Sequence, residues 1–161
     1  GTSFSSPRVI GQGGFACIFR CAQVNVDGTG VLTVVWQGSD GFEFSRSSDN
    51  GASFSAATKI PNTRYADGDL HVAVDSRGTL YLVWSRVPPE ASFIERDIYF
   101  TRSTDGAATF SVPVNLSATF GDESRDPRIA VDGTGNINLV WAELVGGTSG
   151  ITYQVAYRRA K

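Results

Sequence analysis

Three stretches of this chain repeat one pattern: QVNVDGTGVLTVVW at 23–36, HVAVDSRGTLYLVW at 71–84 and RIAVDGTGNINLVW at 128–141. In each, an aspartate stands nine residues before a tryptophan: Asp27 and Trp36, Asp75 and Trp84, Asp132 and Trp141. Apolar and polar residues alternate on both sides of a short glycine-bearing centre. That is the pattern of two half-buried strands joined by a tight turn. A repeat of this kind cannot bury its apolar faces alone and must stack on its neighbours.

A third strand follows in every copy: FEFSRS at 42–47, IYFTRS at 98–103 and VAYRRA at 155–160. After a turn, a fourth strand opens at an aromatic residue, Phe54 or Phe110, with Phe4 as the third example near the start of the chain. Four antiparallel strands recurring about every fifty residues predict an all-β fold, a β-propeller of four-stranded blades. No segment predicts a helix. The 161 residues then form one domain of three blades, with repeats at approximately 1–50, 51–106 and 107–161, half of a six-bladed ring. Val24, Val26, Val72, Val74, Ile129 and Val131 are expected to be buried on the inner strands.

The phase of the repeat carries a further expectation. VAYRRAK ends where a third strand ends, whereas TSFSSPRVI near the start reads as a fourth strand. The strand at 2–10 is therefore expected to complete a blade whose other strands are C-terminal. A homodimer making six blades would do this, as would the remaining blades of a longer chain.

Composition narrows the function classes. Apolar residues make up 41% and charged residues 19%, enough for a packed core. A net charge of −2 offers no basic stripe for nucleic acid and no attraction to anionic membranes. No apolar run approaches the roughly 18 residues of a membrane helix, so no membrane insertion is expected. Cys17 and Cys21 with a lone histidine, His71, make no zinc pattern. A free pair and a local disulfide both remain open for them. No metal and no cofactor is expected.

The turn SSDNGASF at 47–54 returns as STDGAATF at 103–110. Both resemble the Asp-box, S-x-D-x-G-x-(S/T)-(F/W), the BNR repeat of sialidases and many other secreted β-propellers. Ser47, Asp49, Gly51, Ser53 and Phe54 match position by position, as do Ser103, Asp105, Thr109 and Phe110. In the second copy Ala107 holds the glycine position, with Gly106 one place early. Alanine in the left-handed region costs ~1–2 kcal/mol, so that loop is expected to shift and give Gly106 the strained place. The box residues read as structural: the aspartate accepts turn N–H groups, the hydroxyls close the turn, and the aromatic plugs the blade. The segment DPRIAVDGTGNINLVW also resembles the inner strands of bacterial BNR-repeat proteins.

The resemblance implies a secreted or cell-surface protein. It also implies the sialidase equipment: three arginines around a carboxylate, a tyrosine nucleophile helped by a glutamate, and an acidic proton shuttle. The early F/Y-R-I-P motif of those enzymes is absent: IFRCAQ at 18–23 has Phe19 and Arg20 without the proline, and SPRVI at 6–10 has its arginine in the wrong strand. The expected function is thus a non-catalytic module that binds a glycan or other polar ligand, or an assembly scaffold. A sialidase-like glycoside hydrolase, or part of one, is the alternative.

Connection lengths choose the face. The long connections, at 11–22, 60–69 and 116–126 and at 37–41, 85–97 and 142–152, gather on one rim, and function concentrates on such loops. The ligand-binding candidates there are Arg20, Arg64, Tyr65, Asp69, His71, Arg125, Asp126 and Arg128. Asp67, Asp122, Glu123, Arg86, Glu90, Glu95, Arg96 and Glu143 add charge to the same rim. Gln23, His71 and Arg128 are equivalent positions at the start of the three inner strands. The three tryptophans, identically placed in each copy, are assigned to packing.

Overall fold

The computed structural model describes residues 3–14, 22–64, 66, 69–87, 96–118, 123–147 and 150–161. All of its regular structure is β. The first blade comprises β1 (Ala22–Val26), β2 (Leu32–Gly38), β3 (Gly41–Ser47) and β4 (Thr58–Lys59) in sequential antiparallel order. The second repeats it with β5 (His71–Val74), β6 (Leu80–Arg86), β7 (Asp97–Ser103) and β8 (Val114–Asn115). The third has three strands, β9 (Glu123–Val131), β10 (Ile137–Gly147) and β11 (Gly150–Ala160). Equivalent residues take equivalent partners: Trp36 opposes Glu43, Trp84 opposes Tyr99, and Trp141 opposes Ala156.

The core lies between blades. Strand β6 shows why, because it is buried on both faces and alternates between two clusters. Leu80, Leu82 and Trp84 pack toward the first blade with Val35, Phe42, Leu70 and Val72. Tyr81 and Val83 pack toward the third with Ile98, Ile129, Leu139 and Trp141. Trp84 stacks on Tyr99 at 6.1 Å and meets the edge of Phe42 at 5.8 Å, which is a packing role. The inner turns of neighbouring blades come close: a Cβ on Gly28 would stand 2.5 Å from the Ser76 carbonyl oxygen.

Each inner turn is closed by its aspartate. Asp27 Oδ1 accepts the N–H groups of Thr29 and Val31, Asp75 Oδ1 those of Arg77 and Thr79, and Asp132 Oδ1 those of Thr134 and Asn136. The turns at 47–54 and 103–110 share a second network. Ser53 N and Oγ donate to Asp49 at 2.8 and 2.5 Å, and Ser47 Oγ donates at 2.7 Å. Thr109 N and Oγ1 donate to Asp105 at 2.9 and 2.5 Å, and Ser103 Oγ at 2.9 Å. These bonds, the Ser53 and Thr109 hydroxyls foremost, hold both carboxyls down at about 2.

Two expectations need correction. The loop at 103–110 does not shift: Ala107 itself takes the left-handed conformation at φ 69°, as Gly51 does at φ 83°, with Gly106 also positive. Its methyl group is buried in the core between the first two blades, which offsets the strain. Secondly, Val72 and Ile129 are buried and Val74 and Val131 half-buried, but Val24 and Val26 are exposed. They sit on the face of β1 turned away from the second blade. Within the single chain residues 3–10 join no sheet. They lie against the first blade, where Arg8 donates to the carbonyls of Ala52 and Gly51 at 2.8 and 3.1 Å and covers the Phe54 ring.

Two outcomes follow for stability. Ile98→Ala, at a fully buried site between two blades, lowers the unfolding free energy in urea by about 2–5 kcal/mol; a loss below about 1 kcal/mol contradicts this packing. The second concerns acid. Asp49 and Asp105 titrate near 3.8 when unfolded and about 2 when folded, so their contribution is complete above pH 3.8 and is lost as pH falls toward 2. The double variant Asp49→Asn, Asp105→Asn therefore melts lower at neutral pH and loses less between about pH 4 and pH 2. Parallel melting-temperature curves for the two proteins contradict that assignment.

Candidate functional site

Antiparallel order places the inner turns and the Ser–Asp turns on one rim. The connections between blades, and those between second and third strands, lie on the other. The second rim is more regular than its sequence suggests. Residues 123–126 belong to β9, and 142–147 and 150–152 to β10 and β11. Alternating side chains there let the strands pair beyond the blade, with Leu144 opposite Glu123 and Val145 opposite Thr152.

This extension builds a charged cluster. Glu123 and Arg125 are two apart on β9 and share a face, and Arg125 Nη2 lies 2.5 Å from Glu123 Oε1. Arg96, just before β7, brings Nη1 to the same oxygen at 2.5 Å. The Glu123 side chain is buried, so one carboxylate fixes two guanidiniums from two blades. Arg125 Nε is buried without a hydrogen-bond partner among the described residues. Behind the cluster, buried Glu143 accepts from Ser124 Oγ at 3.0 and 3.1 Å and from Trp141 Nε1 at 2.5 Å.

Asp69 and Asp126 stand at equivalent places, two residues before His71 and Arg128 respectively. Both adopt left-handed backbone, φ 47° and φ 50°. Such strain in non-glycine residues persists only where the surroundings enforce it. Asp69 Oδ2 accepts from Ser85 Oγ at 3.1 Å, and Asp126 lies 3.7 Å from Arg128. At Asp126 the register of β9 against β10 also shifts, between Val140 and Ala142.

The three equivalent inner-strand positions divide by chemistry. Gln23 donates to the Leu70 carbonyl at 2.7 Å and accepts from Val72 N at 3.0 Å. His71 Nδ1 accepts from Ile129 N at 3.3 Å, the same backbone position one blade on. Both join one inner strand to the next, so His71 is engaged structurally. Arg128 has no acceptor atom and turns its guanidinium to its own Pro127 carbonyl and Asp126.

Of the eight candidates, Arg125, Asp126 and Arg128 are brought together on β9, with His71 against the same strand. Asp69 holds β6 through Ser85. Arg64 pairs with Asp40 in the connection between β2 and β3, at 3.2 Å, on the first blade. Arg20 and Tyr65 lie outside the described residues, as do Cys17, Cys21, Asp67, Glu90, Glu95 and Asp122. Glu123, Arg96, Ser124 and Glu143 belong to the same cluster but were not among the eight. The i, i+2 spacing of Glu123 and Arg125 was the available signal; Arg96 carries no local one.

Among the described residues no group of three or more His, Cys, Asp or Glu could hold a metal ion. A buried Tyr81–Asp75 contact of 3.2 Å exists, but on the rim of the inner turns. Burial and the neighbouring carboxylate push the Tyr81 hydroxyl up, away from a nucleophile's needs.

No family model matches the sequence, and no curated protein matches it significantly. Solved structures do. An endo-arabinase from Bacteroides thetaiotaomicron aligns with 86% of this chain at 18% identity and a TM-score of 0.50. The K499G mutant of NanB sialidase from Streptococcus pneumoniae aligns with 80% at 12% identity, and a Trypanosoma rangeli sialidase complexed with 2,3-difluorosialic acid with 88% at 17%, each with a TM-score of 0.48. The chain spans 55%, 21% and 30% of those proteins. At such identities the likeness to the endo-arabinase shows the fold alone, and with the three sheets it establishes a β-propeller architecture.

Proposed function

We propose that this chain is a non-catalytic module of the Asp-box propeller type that binds a glycan or another polar ligand on its long-connection rim. The observation that carries the reading is the Arg96–Glu123–Arg125 cluster, with Asp126 and Arg128 beside it on the same strand. Fixed guanidinium forks grip a ligand carboxylate at two points, and aspartates accept paired sugar hydroxyls. A glycan is in keeping with a fold shared with an endo-arabinase. The Asp-box assignment rests on the two matching hydrogen-bond networks of Asp49 and Asp105, which are confined to the opposite rim. A secreted or cell-surface location goes with this reading, and no described helix is long and apolar enough to cross a membrane.

Glu123 is committed to two arginines, which suits it to holding their guanidiniums in place. The test joins a glycan array, including acidic glycans, with an assay for turnover of a fluorogenic sialoside. The expected result is binding without turnover. Arg125→Lys, which keeps the charge facing Glu123 but loses the planar fork, weakens binding about tenfold and leaves the melting temperature unchanged. Sialoside turnover that disappears when Tyr65 is replaced would instead establish the hydrolase.

A further inference from the structure

Each blade carries its tryptophan at the same place, and two of the three indole N–H groups have acceptors. Trp36 Nε1 donates to the Gln12 carbonyl at 3.1 Å, and Trp141 Nε1 to Glu143 Oε2 at 2.5 Å. Trp84 is sealed in the core at 0% exposure, and its Nε1 has no hydrogen-bond partner among the described residues. A buried N–H without an acceptor costs more than a formed bond gains, so folded proteins rarely keep one.

The second and third blades differ at two positions around this nitrogen. In the third, Glu143 stands two residues after Trp141 on β10 and opposite Ser124 on β9. Its carboxylate takes the indole N–H and the Ser124 hydroxyl together. In the second, Arg86 stands two residues after Trp84 on β6 and opposite Ala66. Residues two apart on a strand share a face, so Arg86 lies beside Trp84 as Glu143 lies beside Trp141. Arginine in place of glutamate removes the acceptor and adds donors, because a guanidinium accepts no hydrogen bond.

Arg86 is itself short of a partner. Its guanidinium lies 5.2 Å from the centre of the Tyr99 ring, which also stacks on Trp84 at 6.1 Å. Its Nε is buried without a hydrogen-bond partner, and no carboxylate pairs with it among the described residues. Asp97, opposite Arg86 in register, is engaged by Asn115 Nδ2 at 2.6 Å and Ser117 Oγ at 2.9 Å. Half-buried Arg86 therefore sets a positive charge beside the unpaired indole N–H. A water could satisfy the N–H, but a partly desolvated charge favours an anion.

We propose that Trp84 and Arg86 form a binding site for a carboxylate, held between the first and second blades in the place that the Glu143 side chain fills in the third. One oxygen accepts from Trp84 Nε1 and the other from Arg86, whose guanidinium Tyr99 keeps in position. The site faces the first blade, whereas Arg96, Glu123 and Arg125 lie between the second and third. It is separate from the ligand site proposed above and does not depend on it.

The indole signals of a proton–nitrogen correlation spectrum test this, followed during titration with sodium acetate at constant pH and ionic strength. The Trp84 signal, identified by its loss in Trp84→Phe, is expected to move saturably while those of Trp36 and Trp141 stay in place. Arg86→Gln is expected to weaken acetate binding by about tenfold or more. Arg86→Glu supplies the carboxylate from the chain itself, so the Trp84 signal is expected to move without acetate and then to ignore it. A wild-type Trp84 signal indifferent to acetate, the result for a bound water or for an N–H resting on the Phe42 ring, overturns the inference. So do equal shifts of all three signals, or an undiminished response in both Arg86 variants. If Arg86→Glu fails to fold, the wild-type titration and Arg86→Gln still decide.

Discussion

A four-stranded blade has two faces, and in this sequence both are apolar. Everything else in the structure follows from the need to cover them. Strand β6 satisfies the need completely, with Leu82 and Val83 pointing to opposite clusters and both fully buried. The aspartate-closed turns keep each hairpin in register, so that successive blades present matching surfaces. Gln23 and His71 then join neighbouring inner strands through backbone atoms, a bond indifferent to the side chains beyond it. Stacking, more than any single blade, is the folding unit.

That regularity isolates the places where the chain departs from it. The inner-turn and Ser–Asp-turn rim repeats almost atom for atom. The other rim does not: β9 to β11 lengthen, and a buried carboxylate draws arginines from two blades. The proposed ligand site rests on that charge, shared between blades at the rim of a rigid stack.

The blades and turn networks were legible in the sequence because they are local. Asp49 with Ser53, or Asp27 with Thr29, needs only a few consecutive residues, and three copies make the pattern plain. Ala107 broke the expectation because glycine preference is also local, while the core contact that holds its methyl group comes from a neighbouring blade. Val24 and Val26 carry the same alternation as Val72, and nothing in their own strand says whether a blade lies beyond. The Arg96–Glu123 pair joins residues 27 apart, so it appears only once the blades are stacked.

The central claim is that equivalent positions in successive blades do equivalent physical work where the residues filling them offer the same hydrogen-bonding chemistry. His71 offers the sharpest case, because Gln23 already performs its task one blade earlier. Unfolding free energies of His71→Gln and His71→Ala measure it directly. Glutamine brings an acceptor to Ile129 N and is predicted to keep stability within about 0.5 kcal/mol of wild type. Alanine leaves that N–H without its acceptor and is predicted to cost about 1–3 kcal/mol. Equal losses for the two variants would contradict the account.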